Sequence, residues 1–430
     1  MARLLASRGE TVFGCDSGHP PEAAGLAESG VEVRLDVDGT ALLERARTVV
    51  KSPGVPSDAP VIAAARERGV EVTGELEVAW RLLPNVFCAV TGTNGKTTTT
   101  ELIGHLHRTA GRSAAVAGNV GTPLASLVGE LNPEATIVCE TSSFQLEDSS
   151  AFAPECAVFL NIAPDHLDRH GDMRSYLAAK LRVFANQGND DVAVVNGNTP
   201  ALRGVDLGGC ARRIRFCPEE SSAPDPDCEV SLREGVIFVA DEPLLATSEL
   251  KLLGSHNVEN AMAAAAAALA LGIDRDSVAE GLRGFEGVRH RLEPVREVNG
   301  VRYVNDSKAT NVASAVAGIR AFDGGVHLIC GGSLKGESFE PLAEPIAERC
   351  RACYLIGEAA DEIAGVLSSA AARGVEIFRC KVLPAAVESA SSRAEPGEVV
   401  LLSPACASFD SYRDFEQRGD HFRDLVEALR

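Results

Sequence analysis

Lysine is scarce in this chain. Seven lysines stand against 34 arginines, so arginine carries the general surface charge. Each lysine then marks a place where a compact or titratable amine is needed. They are Lys51, Lys96, Lys180, Lys251, Lys308, Lys335 and Lys381. Long apolar runs are missing too. The longest, 261–271, is alanine-rich and falls short of the roughly 20 residues that a membrane helix needs, which argues against membrane insertion. The opening MARLLASRGE lacks the apolar core of a signal peptide, and a cytoplasmic protein is expected. A net charge of −20 leaves no basic surface and argues against a nucleic-acid partner. Phosphate groups, if bound, must be met by local groups. The twelve cysteines form no disulfide-like framework, as suits a reducing compartment. Cys350 and Cys353 make a lone C-x-x-C without a second pair, and are read as buried thiols rather than a zinc site.

At 430 residues the chain exceeds what one hydrophobic core serves. An α/β protein of three domains is expected: a truncated Rossmann-like domain over 1–84, a central P-loop ATPase α/β domain over 85–288, and a C-terminal Rossmann-like α/β domain over 289–430. In the first, strands are predicted near 11–13, 31–34 and 48–50 and a helix over 58–68. It opens within a helix, 2–8, where a nucleotide-binding unit normally starts with a strand and glycine turn. A first strand is therefore expected to be missing. In the second, strands are expected at 86–90, 135–139, 156–160 and 192–195, helices at 97–108 and 257–271, and a solvated loop at 218–228. The third repeats strand, loop and helix, with strands at 301–305, 326–330, 353–356 and 399–402. Polar residues gather in the loops after them, where open α/β sheets bind ligands.

The stretch VTGTNGKTTTT departs from the G-x-x-x-x-G-K-[ST] pattern, because Val90 stands where the first glycine belongs. Strand, glycine turn, lysine and helix remain the recipe for cradling phosphate. With Val90 as the last strand residue, the turn begins later, at Gly92. The backbone of Gly92, Thr93, Asn94 and Gly95 would face phosphates, with Lys96 as counter-charge and Thr97 within reach of Mg²⁺. Glu140 closes the strand TIVCE, the expected position for a magnesium carboxylate. His166 sits at a strand end with Asp165 and Asp168, so a ligand and a satisfied surface residue are both open readings. Lys180, on a largely apolar helix face, reads alone as a snorkelling surface lysine. Asn257 and Asn260 share a helix face. One could be the N-cap and both could point at a ligand.

Taken in order, GTNGKT, GNVGTP, ETSSFQLE, NIAPDHLDRH, AAKLRVF, SHN, VRHRLE, NDSKATN and LLSPACASFDSYRDFEQRGDHF resemble the Mur ligases, and within them the glutamate-adding members. The resemblance covers essentially the whole chain. It implies an enzyme that uses ATP to phosphorylate the terminal carboxylate of UDP-N-acetylmuramoyl-L-alanine. The amine of D-glutamate then attacks the acyl phosphate, in peptidoglycan precursor synthesis. By the same resemblance Lys96 and Thr98 join the loop around ATP, and Thr97 and Glu140 serve one of two Mg²⁺ ions. His166 serves the other, with Lys180 carrying a CO₂-derived carbamate as a further ligand. Asn257 and Asn260 would face adenine, Arg291 the phosphates and Asp306 the ribose. Asp16, Ser17, Ser52, Pro53 and Gly54 would meet the uridine nucleotide, and Asn119 and Ser142 the muramoyl-alanine end. Lys308, Thr310, Lys335, Ser408 and Phe415 would grip the glutamate. A monomer suffices for this. The remaining readings are a sister Mur-type or folylpolyglutamate-type ligase, an ATP-binding protein inactivated by N-terminal truncation, and a P-loop kinase. A kinase needs no further α/β domain carrying Asp306 and Lys308.

Overall fold

Continuously buried apolar runs and one-sided apolar helices sort the chain into mostly parallel strands and covering helices, and the computed structural model describes them for residues 1–20, 23–221, 227–252, 254–334, 338–371 and 373–429. Two compact units result: Met1–Glu249 with Glu259–Arg283, and Leu250–Val258 with Gly284–Arg430. The first unit begins with two separate parallel pairs. Phe13–Cys15 lies beside Glu32–Arg34, and Thr48–Lys51 beside Glu71–Gly74.

The same unit contains a nine-stranded sheet. Phe87–Thr91, buried at every position, lies between Thr136–Glu140 and Cys156–Phe159. Ala114–Gly118 forms one edge beyond Thr136–Glu140, and Val192–Asn196 extends the other side. Arg212–Ser221, Val230–Arg233, Val236–Val239 and Glu242–Ala246 then follow, the last two antiparallel. The expected loop over 218–228 is therefore strand as far as Ser221, because its residues pair onward with Val230–Arg233; residues 222–226 lie outside the described ones. Beside that pairing Cys217 and Cys228 come close, with Cα atoms 6.0 Å apart, a proximity that cysteine spacing did not suggest. Cys350 and Cys353 are buried and free.

The second unit carries a six-stranded sheet in the order Glu293–Val298, Val301–Asn305, Val399–Leu402, Val326–Gly331, Cys350–Ile356, Glu376–Lys381. Only the first pairs antiparallel. Period-two alternation divides its core. Val304, Leu328, Cys353 and Leu401 pack to one face, and Tyr303, Ile329, Tyr354 and Val400 to the other. The two outermost strands are half-exposed and so lack the apolar runs that betray a central strand. Among the described residues no helix is long and apolar enough to cross a membrane.

Within the first unit, one carboxylate ties the early helix Glu75–Leu82 to the central sheet. Glu77, fully buried, accepts hydrogen bonds from the backbone N–H groups of Ser150, Ala151 and Phe152 at 2.8–3.1 Å. It also takes two from Arg81, at 2.7 and 3.1 Å. Burial alone would push its carboxyl up, but the N–H groups of Ala151 and Ser150 and the Arg81 guanidinium hold it below the ordinary 4.5. A depressed folded pKa contributes stability that is complete above 4.5 and lost as pH falls through the folded value. Glu77→Ala is therefore expected to cost about 2–4 kcal/mol of unfolding free energy in urea titrations. Glu77→Gln should flatten the acid side of the stability profile; an acid limb unchanged in Glu77→Gln would refute the assignment.

Candidate active site

The glycine loop follows directly from the Phe87–Thr91 strand, which lies one residue later than expected, and ends where the helix Lys96–Thr109 starts. Gly92 has φ +148°, and a Cβ there would stand 3.1 Å from Leu160 Cβ. Gly95 has φ +85°, and a Cβ would come within 2.2 Å of Asn260 Oδ1. Both positions therefore require glycine. Asn161, at the end of the neighbouring strand, braces the loop. Its Oδ1 accepts from Asn94 N at 2.9 Å and its Nδ2 donates to Asn94 O at 3.2 Å. Asn260 accepts from Thr99 Oγ1 at 3.3 Å, so it lies over the loop as well.

Two lysines meet on one carbonyl. Lys96 Nζ donates to Gly92 O at 3.0 Å and Thr93 O at 2.8 Å, and Lys180 Nζ donates to the same Gly92 O at 2.7 Å. Lys180 is 1% exposed and 4.7 Å from the centre of the Tyr176 ring, which overturns the surface reading. Burial first, and the Lys96 ammonium second, hold its amine well below the usual lysine range. Tyr176 OH lies 3.3 Å from Thr93 Oγ1 and completes the wall. Beside them, Glu140 accepts from Thr97 Oγ1 at 2.7 Å and from Asn119 Nδ2 at 3.0 Å. A hydroxyl and a carboxylate make a hard-oxygen pair that suits Mg²⁺. Among the described residues no group of three or more His, Cys, Asp or Glu side chains could hold a metal ion; the candidate ligands instead draw on Thr97 and Lys180.

His166 stands just outside. It takes the left-handed φ of +52° ahead of the short helix Leu167–His170, with its side chain half-exposed and its ring 4.9 Å from Phe144. Ser142 is the N-cap of Ser143–Glu147, in a capping box with Gln145. Asp16 and Ser17 follow the strand Phe13–Cys15, and Ser52, Pro53 and Gly54 follow Thr48–Lys51. Both groups are thus at carboxyl ends of parallel strands. Thr98 is buried inside the first turn of Lys96–Thr109. Asn257 is buried and lies within the helix Ser255–Ala270 rather than at its cap, because the helix starts earlier.

In the second unit, the loops after Val301–Asn305 and Val399–Leu402, which are adjacent strands, hold the other candidates. Asp306 is 4% exposed and accepts from Leu292 N at 3.1 Å and Ser403 Oγ at 2.8 Å. Its carboxylate thus clamps loops within this unit, and Arg291 lowers its pKa through charge. Lys308 reaches over the Phe415 ring at 5.5 Å, and Thr310 N donates to Lys308 O at 2.8 Å. Ser408 is buried. Lys335 lies outside the described residues. Arg418, 1% exposed, donates to Ser307 O and Oγ, Cys406 O and Ala407 O, and so knots these loops together. Sequence reading passed over it and Asn161, though both sit inside recognised motifs.

A family model described as Mur ligase middle domain matches residues 90–268, and one described as Mur ligase, glutamate ligase domain, matches 290–406. The chain belongs to the Mur ligase family. It is 43% identical over 445 residues to the UDP-N-acetylmuramoylalanine--D-glutamate ligase of Pelotomaculum thermopropionicum, covering 100% of this chain and 95% of that one. The ligase of the same name from Geobacter metallireducens is 42% identical over 436 residues, covering 100% and 94%. Among solved structures, the MurF ligase of Thermotoga maritima in complex with ADP is similar in fold, with a TM-score of 0.64, 18% identity and 99% of each chain covered. So is the UDP-N-acetylmuramate-alanine ligase of that organism, at TM-score 0.61 and 21% identity, covering 99% and 96%.

In this Mur ligase, burial lifts the Asp306 carboxyl to about 7, against the pull of Ser403, Arg291 and Leu292 N–H. The fold therefore favours the protonated form. Asp306 contributes stability below 3.8 that is lost as pH rises towards about 7. Urea midpoints of Asp306→Asn should lack that decline, narrowing or reversing the gap from the unmodified enzyme at about pH 8 relative to about pH 5. An identical slope in both proteins would refute the assignment.

Proposed function

We propose that this Mur ligase joins D-glutamate to UDP-N-acetylmuramoyl-L-alanine, driven by ATP, in peptidoglycan precursor synthesis. The observation that carries the site assignment is the convergence of Lys96 and Lys180 on Gly92 O, beside Glu140 and Thr97. In this reading the chain has three functional domains: 1–84 for the uridine nucleotide, 85–288 for ATP, and 289–430 for glutamate. In this reading the chain works as a monomer.

The loop backbone and Lys96 would bind the β- and γ-phosphates, with Lys96 leaving Gly92 O for phosphate oxygen as negative charge arrives. Thr97 and Glu140 would hold one Mg²⁺ and His166 a second, and the ions would offset charge among three anionic reactants when bound. Asn119 keeps Glu140 oriented through its 3.0 Å hydrogen bond. Lys180, its amine biased to the neutral form by burial and by Lys96, is suited to adding CO₂ at nitrogen with release of a proton. The resulting carbamate would turn an amine into an oxygen donor and place negative charge beside the Lys96 ammonium. Asn257, Asn260, Arg291 and Asp306 remain the proposed adenosine and phosphate contacts. Lys308, Thr310, Lys335, Ser408 and Phe415 remain those of glutamate, and Asp16, Ser17, Ser52, Pro53, Gly54 and Ser142 those of the nucleotide-linked substrate.

Phosphate release should require ATP, the nucleotide substrate and D-glutamate together; equal release without either acceptor would refute ligation. Lys180→Ala is expected to lower kcat on the order of 100-fold or more, with partial rescue by short carboxylates. Near-normal turnover without rescue would remove the carbamate role.

A further inference from the structure

The proposed nucleotide loop and the His166 turn belong to one connected set of contacts inside the first unit. At its base the loop is fixed. The Lys51 ammonium, 0% exposed, pairs with Asp148, 2% exposed, and Gly74 N donates to Asp148 O at 3.0 Å. Beyond Gly54 it is held through a smaller and adjustable set. Ser57 Oγ donates to Glu147 Oε1 at 2.6 Å, and Arg169 Nη2 donates to Val55 O at 2.9 Å. The other carboxylate oxygen, Glu147 Oε2, is buried without a hydrogen bond and lies 3.5 Å from the same Arg169 nitrogen. A desolvated carboxylate oxygen held just beyond bonding distance of a guanidinium gains from any small movement that closes the gap.

Arg169 is also part of the turn that carries His166, the proposed metal ligand. It belongs to the helix Leu167–His170, which His166 caps. Its guanidinium lies 5.1 Å from the centre of the Phe144 ring, and that ring is 4.9 Å from the imidazole of His166. Phe144 and Glu147 share the helix Ser143–Glu147. Moving Arg169 between Val55 O and Glu147 Oε2 therefore moves a side chain stacked on the ring that supports His166.

We propose that Arg169 is a positioning residue that couples occupancy of the 52–57 loop to the placement of His166. A nucleotide seated on Ser52–Gly54 shifts Val55 O, Arg169 closes on Glu147, and the His166 turn moves with it through Phe144. The assignment rests on the ligase reading, with Ser52, Pro53 and Gly54 as nucleotide contacts and His166 as a metal ligand. Coupling between two sites is reciprocal in binding free energy. Mg²⁺ with a non-hydrolysable ATP analogue should thus tighten the nucleotide substrate as much as that substrate tightens the analogue.

Calorimetry on the full-length chain tests this without turnover. The unmodified protein is expected to bind UDP-N-acetylmuramoyl-L-alanine about 5-fold or more tightly when Mg²⁺ and adenylyl imidodiphosphate are present. Arg169→Ala should bring that ratio to about 1 while each ligand alone binds within about 3-fold of normal. Ser57→Ala, which removes one hydroxyl from the loop and spares the fold, should lower the ratio in the same direction. A ratio unchanged in either variant overturns the coupling, and so does an unmodified protein that binds both ligands independently. If the unmodified protein binds only one of the two, the ligase reading itself falls.

Discussion

Two lysine amines share one carbonyl oxygen, that of Gly92, and the surrounding structure is arranged to make this tolerable. Like charges brought together away from water are costly unless one loses its proton or an anion joins them. Lys180 takes the first route in part, since burial and Lys96 both favour its neutral form. Phosphate and carbamate would supply the second. The loop geometry follows from the same demand. Gly92 and Gly95 adopt φ values that only glycine holds cheaply, with Leu160 and Asn260 packed where a side chain would otherwise stand.

Carboxylates do the complementary work. In a chain of net charge −20, the acidic groups that matter most are those taken out of solvent and fully occupied. Glu77 gathers the N–H groups of 150–152, Asp148 pairs with Lys51, Glu140 meets Thr97 and Asn119, and Asp306 receives Leu292 N–H and Ser403. Each joins segments far apart in sequence, and their environments push them in opposite directions. Glu77 is held low by its donors, while Asp306 is pushed up to about 7 because burial outweighs its partners.

The scarce lysines were an informative signal. Lys96, Lys180 and Lys308 stand in the candidate sites, and Lys51, to which composition gave no role, is buried in an ion pair at the base of the proposed nucleotide loop. Central strands such as Phe87–Thr91 and Val326–Gly331 were legible because both faces are buried and the run is continuously apolar. The edge strands Glu293–Val298 and Glu376–Lys381 were not, because half their residues face water. Arg212–Ser221 was read partly as loop for a related reason: it is recognised by what it pairs with, and its own end is polar.

Local order alone determined the strand–glycine–helix unit, the ordered motifs that mark a Mur ligase, the net negative charge and the shortness of every apolar run. Those depend on neighbours in sequence, whose spacing is set by covalent geometry. Tertiary structure decided that Lys180 is buried rather than snorkelling, that Asn161 braces the loop, and that Arg418 knots the loops holding Lys308 and Ser408. Burial and shared hydrogen-bond partners arise between residues up to 161 positions apart, as between Thr99 and Asn260. No local pattern encodes the desolvation that sets their chemistry.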